Sequence, residues 1–482
     1  MHGSGPLNNH DNPETNPGEI EAAKLRTRKL SIAEAVSNAC MGGFGDNFFQ
    51  PFALFLNAGN QAMALIGTLP QAVGALAQIV GAGLSEKLGK RRSIISLFAL
   101  IQALCYLPLF LIPFFLPSIG VPAVIIMITL CTSCLNLTGP PWLSMMSDVI
   151  PQNIRGSYFA RRIRFWMAAT VCSMITGGVF LWWFKSKNLV WAGFGILFLL
   201  ATLFRINSAW LLNRHYDPPF NHKKEDYFSF WDFVKRTRHS NFAKFTFIVA
   251  SVNGLTNIAG PFFSVYMIRD LHWNYIQFTL NTIAFLVGQF VFISWWGAMC
   301  DRHGNRAVLA ATSLIIPLIP IPWAFIQSFP FIMCLQFVSG SVWSGFNLAA
   351  SNFIMDACTP QKRPRATSYY TVVNSFFSLI AGSIIGAYLA EHLPSSYNLG
   401  FMHITFLSSL PPVFIVSGLL RYIPVLFLSK LKEVRETEPI TPVQLLWRFT
   451  TGEPIFSQVQ QLTNLLSDPA KRPNVDDHND PA

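Results

Sequence analysis

The strongest constraint on this chain is a series of long apolar runs divided by short charged turns. A helix needs about 20 apolar residues to cross the hydrocarbon layer of a bilayer. Runs of that length fall near 31–57, 61–85, 93–117, 121–147, 162–184 and 189–212, then near 242–268, 275–299, 307–328, 330–355, 367–390 and 401–427. Lipid offers the backbone no hydrogen-bonding partners, so each run must satisfy its own amides as a helix. The pattern predicts an all-α membrane protein with twelve transmembrane helices. Composition agrees: 51% of the 482 residues are hydrophobic and only 12% are charged, about half the ~25% usual in soluble proteins.

The formal charge of +11 would raise nucleic acid as a partner in a soluble protein. Here the basic residues collect in alternate turns, at Lys24–Lys29, Lys87–Arg92, Arg155–Arg164, Arg302–Arg306 and Lys362–Arg365. Only Lys185, Lys187 and Arg269 fall in the others. The positive-inside rule then puts both termini in the cytosol. No nucleic-acid contact is expected, and the bilayer itself is the macromolecular surface.

The chain also repeats. The turn Gly297-Ala-Met-Cys-Asp301-Arg302-His-Gly304-Asn-Arg306 has a near copy in Glu86-Lys87-Leu-Gly89-Lys90-Arg91, with the acidic, glycine and basic positions at equal spacings. Asp148-Val-Ile-Pro-Gln-Asn-Ile-Arg155 is echoed by Asp356-Ala-Cys-Thr-Pro-Gln-Lys-Arg363. Repeats at corresponding turns divide the chain into two parallel six-helix halves. The expected organisation is a disordered N-terminal tail (1–30), a first bundle (31–212), a linker (213–241), a second bundle (242–427) and a C-terminal tail (428–482). The aromatic stretch 227–234 and the segment 441–449 are candidates for lying along the membrane surface.

Two copies of such a turn, with twelve spans, resemble the major facilitator superfamily, whose signature between helices 2 and 3 reads G-x-L-a-D-r-x-G-r-R. Gly297, Asp301, Arg302, Gly304 and Arg306 match it. The first copy departs, with Ala82 for the first glycine and Glu86 for the aspartate. The resemblance spans about 30–430. It implies two six-helix bundles, secondary transport of a small solute by alternating access, and a cavity lined by helices 1, 4, 7 and 10. It also implies that Glu86, Gly89, Arg91, Asp148, Arg155, Gly297, Asp301, Arg302, Gly304, Arg306, Asp356 and Arg363 form a cytosolic gate. A membrane receptor or regulator that keeps this fold without turnover is the alternative.

Ionisable residues inside a membrane cost roughly 2.5–3.5 kcal/mol on translocon scales and are functional by default. Asp46, in Gly45-Asp46-Asn47-Phe-Phe-Gln50-Pro51, is the clearest. It sits about fifteen residues into the first run, roughly 22 Å along a helix. It suits proton coupling, a cation such as Na+, or a substrate amine. Asn47 and Gln50 flank it. Asn253 and Asn257 repeat the Asp46/Gln50 spacing in the seventh run. Asn136, Trp343 and Asn347 are the polar or aromatic candidates in helices 4 and 10, with Gln289 and Asn374 in helices 8 and 11. Single amides of this kind also serve as helix–helix glue. Cys131-Thr-Ser-Cys134 lies inside an apolar run with no second pair, and behaves as two small hydrophobes. No hydrolase, metalloprotease or phosphate-loop motif occurs. An enzyme, a cofactor and a bound metal are therefore not expected. The expected form is a monomer in a bacterial inner membrane.

Overall fold

The computed structural model describes residues 17–151, 154–219, 240–358, 363–398, 403–434, 437–451 and 453, with the side chains of Pro17, Glu86 and 363–365 excepted. The expected surface stretch 227–234 lies outside them. Among the described residues, eleven helices are long and apolar enough to cross a membrane. Spans 2 to 6 are Asn60–Ser85, Arg91–Phe115, Pro117–Val149, Arg155–Ser186 and Val190–Asn213. Spans 7 to 12 are Asn241–Asp270, Tyr275–His303, Asn305–Trp323, Phe329–Ala357, Ala366–His392 and Leu410–Lys430.

Span 1 completes the twelve but is broken. It runs as a helix over Pro17–Phe44, a 3-10 turn over Asp46–Phe48 and a short helix over Phe49–Phe55. Pro51 lacks the N–H that would bond the carbonyl of residue 47, and its ring crowds that carbonyl. Gly45 lets the chain approach span 3, since a Cβ there would stand 2.6 Å from the Tyr106 ring. Span 7 breaks at the matching place. Its first helix ends at Asn257, Gly260–Val265 resumes with a proline at its start, and Tyr266–Asp270 forms a π turn.

Two expectations need correction. The tail expected over 1–30 is helical from residue 17, where it continues span 1. Its strong helix formers carry it, and Arg28 pairs with Glu21 at 2.9 Å. Span 12 begins at Leu410 rather than near 401, because His403–Thr405 (β2) pairs antiparallel with Ser396–Asn398 (β1) and Pro411 opens the helix. The C-terminal segment contains the helix Pro442–Thr450, closed by a Thr441/Gln444 capping box. Leu445 is buried, and Phe449 stacks on Trp296 with centroids 5.3 Å apart, while Val443 and Trp447 remain exposed.

The basic turns share one end of the bundle, here called the basic face. Away from it, one apolar cluster takes residues from both halves, among them Phe52, Phe194, Phe262, Tyr266 and Tyr275. Toward the basic face the core splits into two clusters, one in each half. Hydrogen bonds that link described residues of the two halves follow the same rule. Thr68 and Ser383 hydroxyls meet at 2.6 Å, Asn60 reaches the Ala390 carbonyl at 3.4 Å, and Arg269 reaches Asn60 at 3.1 Å. The halves are therefore sealed at the far end and part toward the basic face.

Candidate functional site

A cavity of about 400 Å³ lies where the broken parts of spans 1 and 7 face each other, within the size range of small-molecule sites. Asp46, Asn47 and Gln50 line it from span 1. Thr256, Gly260, Phe263, Ser264 and Met267 come from span 7, and Asn281, Phe285, Gln336, Ser339 and Trp343 from spans 8 and 10. Trp323 and Arg421 close the remaining side. The two breaks touch directly, for the Ser264 hydroxyl donates to Gln50 Oε1 at 2.5 Å. Interrupted spans in corresponding places of two repeated halves are the arrangement from which carriers build central sites.

Asp46 sits on the 3-10 turn of span 1. The buried Tyr106 hydroxyl of span 3 donates to its Oδ1 at 2.6 Å, a short charge-assisted bond. Arg205 of span 6 acts on the carboxylate electrostatically. Arg205 itself bonds Ser208 at 3.0 Å, and Ser208 donates to Glu34 at 3.0 Å. Glu34 pairs with Arg162 at 2.8 Å. A chain of charged and polar groups thus leads from the cavity residue toward the basic face within the first half.

The structure divides the sequence candidates. Asp46, Asn47, Gln50 and Trp343 line the cavity. Asn253, Asn257 and Asn374 are not among its lining residues. Asn253 donates to Asn374 Oδ1 at 2.7 Å and Asn257 to Ser378 Oγ at 3.2 Å, so they pin span 7 to span 11. Asn136 bonds its own helix at Thr132 and packs against Gly74 of span 2. Gln289 is half-buried on span 8, and Asn347 is exposed on span 10.

Sequence reasoning misses Arg421, Asn281, Gln336, Ser339 and the Tyr106 partner. A signal exists for Arg421, a cation inside an apolar run, but it merges into the count of basic-face residues. The same holds for Arg205.

The repeated turns are wired within their own halves. Arg91 is fully buried and donates to Asp148 at 2.6 Å, to Ser144 and Asp217 at 3.0 Å, and to the Pro218 carbonyl at 2.9 Å. Arg155 caps the end of span 4 through the Ser147 carbonyl at 2.8 Å. Gly89 ends span 2 with φ of +62°. In the second half, Arg302 bonds Glu438 at 2.7 Å and holds that carboxyl below its usual range. The Arg306 amide donates to Glu433 at 2.7 Å beside Gly304, and Asn305 donates to Asp356 at 2.7 Å. Gly297 packs near Leu348, and Asp301 is exposed at the end of span 8. The side chains of Glu86 and Arg363 lie outside the described residues. These bonds tie each turn to its own linker or tail, rather than one half to the other.

A two-half helical membrane protein with a central polar cavity at paired helix breaks is a carrier architecture. The Major Facilitator Superfamily profile matches residues 35–257 and again 245–467, and the chain belongs to that family. It is a multi-pass membrane transporter of a small solute, not an enzyme. Among solved structures, the nucleoside transporter NupG is similar at 14% identity with a TM-score of 0.61, covering 85% of this chain and 98% of that one. A D-xylose–proton symporter is similar at 12% identity with a TM-score of 0.58, covering 86% and 99%. A bacterial homologue of the iron transporter ferroportin in its inward-facing state gives 13% and 0.57, covering 86% and 99%. At these identities the likeness shows the fold alone. No curated protein matched the chain.

Proposed function

We propose that this protein is a secondary active transporter that works by rocker-switch alternating access, with Asp46 as the coupling group. The observation that carries the reading is the meeting of the broken spans 1 and 7 at the cavity through Gln50 and Ser264. A carboxylate placed there by a helix break and held by a buried tyrosine is suited to taking and releasing a proton as its surroundings wet and dry. The seal at the far end and the parting toward the basic face fit one end-state of such a cycle. By the positive-inside rule that face is cytosolic, which makes this state inward-open, with both termini inside a bacterial plasma membrane. The protein acts as a monomer, since each chain carries both halves of its cavity.

The test is Asp46→Asn in proteoliposomes, using a solute found by a thermal-shift screen of the purified chain. The variant is expected to remain monodisperse, with a melting temperature near that of the parent, and to lose pH-driven uptake. Uptake at the parental rate under a pH gradient would overturn the assignment.

A further inference from the structure

Among the described residues lining the cavity only two are charged, Asp46 and Arg421, and they come from opposite halves. Asp46 has partners of its own in Tyr106 and the electrostatics of Arg205. Arg421, on span 12, does not have an equivalent. It is 2% exposed. Its guanidinium donates to the Ile316 carbonyl at 3.2 Å and to the Ser417 hydroxyl at 3.0 Å, both uncharged acceptors. Ser417 in turn donates to the Leu255 carbonyl of span 7 at 2.7 Å. Nε of Arg421 is buried and has no hydrogen-bond partner among the described residues. A guanidinium stays charged in a protein, and a buried charge is held at a cost unless an opposite charge meets it.

Two further orphaned atoms belong to residues lining the same cavity. Asn47 Nδ2 and Asn281 Oδ1 are both buried and both lack a partner among the described residues. Asn281 is 1% exposed, and its side chain makes only a weak bond from Nδ2 to the Met267 sulfur at 3.3 Å among the described residues. Buried polar atoms are as a rule hydrogen-bonded. Two donors and one acceptor therefore wait in one cavity, and one of the donors is cationic. The walls between them are Phe263, Phe278, Trp323 and Trp343.

We infer that Arg421 is the docking point for an oxyanion of the carried solute, a carboxylate or a phosphate. The solute is a small organic anion that also bears an O–H or N–H donor for Asn281. This rests on the reading of the cavity as the solute site. Guanidinium suits both oxyanions because its planar fork can meet two oxygens at once. The anion supplies the charge that Arg421 lacks and leaves Asp46 free to exchange its own proton on the opposite wall.

Titration of the purified full-length protein, followed by tryptophan fluorescence, tests this, since Trp323 and Trp343 line the cavity. The probes are lactate, malate, inorganic phosphate and glycerol 3-phosphate, set against lactamide, malamide, glycerol, xylose and uridine. At least one oxyanion is expected to bind saturably while its uncharged twin does not. The carboxylate and phosphate arms tell the two chemistries apart. Arg421→Gln should weaken that binding at least tenfold and Arg421→Lys less, with Asn281→Ala as a second, milder loss if the glutamine variant fails to fold. Saturable binding of an uncharged probe that survives Arg421→Gln would sink the proposal. So would the absence of binding by every oxyanion to the folded parent. Flux of an uncharged solute would leave the transport reading standing and remove this one, whereas anion binding at Arg421 without flux would do the reverse.

Discussion

Gly304 and Gly89 hold the same place in the repeated turn, yet substitution should cost differently at each. Gly89 is left-handed at φ +62° with open space around the missing Cβ. Alanine there is expected to cost about 1 kcal/mol from backbone strain. Gly304 has φ +88° and ψ 156°, a region essentially confined to glycine, where other residues cost of order 1–3 kcal/mol. A Cβ there would also run into the Glu433 carboxylate. Gly304→Ala should lower the melting temperature more than Gly89→Ala, and equal shifts would contradict the geometry. His215, just beyond span 6, is fully buried, with neither ring nitrogen bonded among the described residues. Burial pushes its pKa down from 6.5 to about 4; Glu34 opposes the shift and Arg162 adds to it. The folded state thus holds it neutral, and the unfolded chain takes the proton first as pH falls. Stability should be full above about pH 6.5 and decline toward pH 4, by about 3 kcal/mol at ~1.4 kcal/mol per unit. A pH series of melting curves checks this: His215→Leu should flatten that decline, and an unchanged slope would place its origin elsewhere.

At the scale of elements, the spans were legible because a bilayer imposes length and apolarity on every one of them. The repeat was legible because charged turns stand out between apolar runs. Helix breaks were half legible. Pro51 and Pro261 are visible in the sequence, but prolines elsewhere, such as Pro70 and Pro108, sit inside continuous helices. What turns a proline into a break is the packing around it, as Gly45 against Tyr106 shows. The site was legible only where charge or a motif marked it. Asn253 and Asn281 are the same residue type in apolar helices. One bonds Asn374 and the other lines the cavity, and the difference lies in how each helix is rotated by its neighbours. Arg421 was hidden for another reason: one cation near a helix end reads as topology until its burial is seen.

For the whole molecule, the far seal must open if the cavity is to reach the other side. Thr68 and Ser383 are its most direct polar contact, at 2.6 Å. Cysteines at both positions, with exposed Cys172 and Cys334 changed to serine, should form a crosslink on oxidation. Transport should then stop and return after reduction. Continued turnover by the crosslinked protein would show that the far end does not part. The fastening of the tail helix has a consequence of its own. Phe449 lies on Trp295 and Trp296 of span 8, and Glu438 holds Arg302 at the foot of the same span. The helix Pro442–Thr450 is thus a handle on a wall of the cavity, and whatever grips it from solution pulls on the solute's surroundings without entering them.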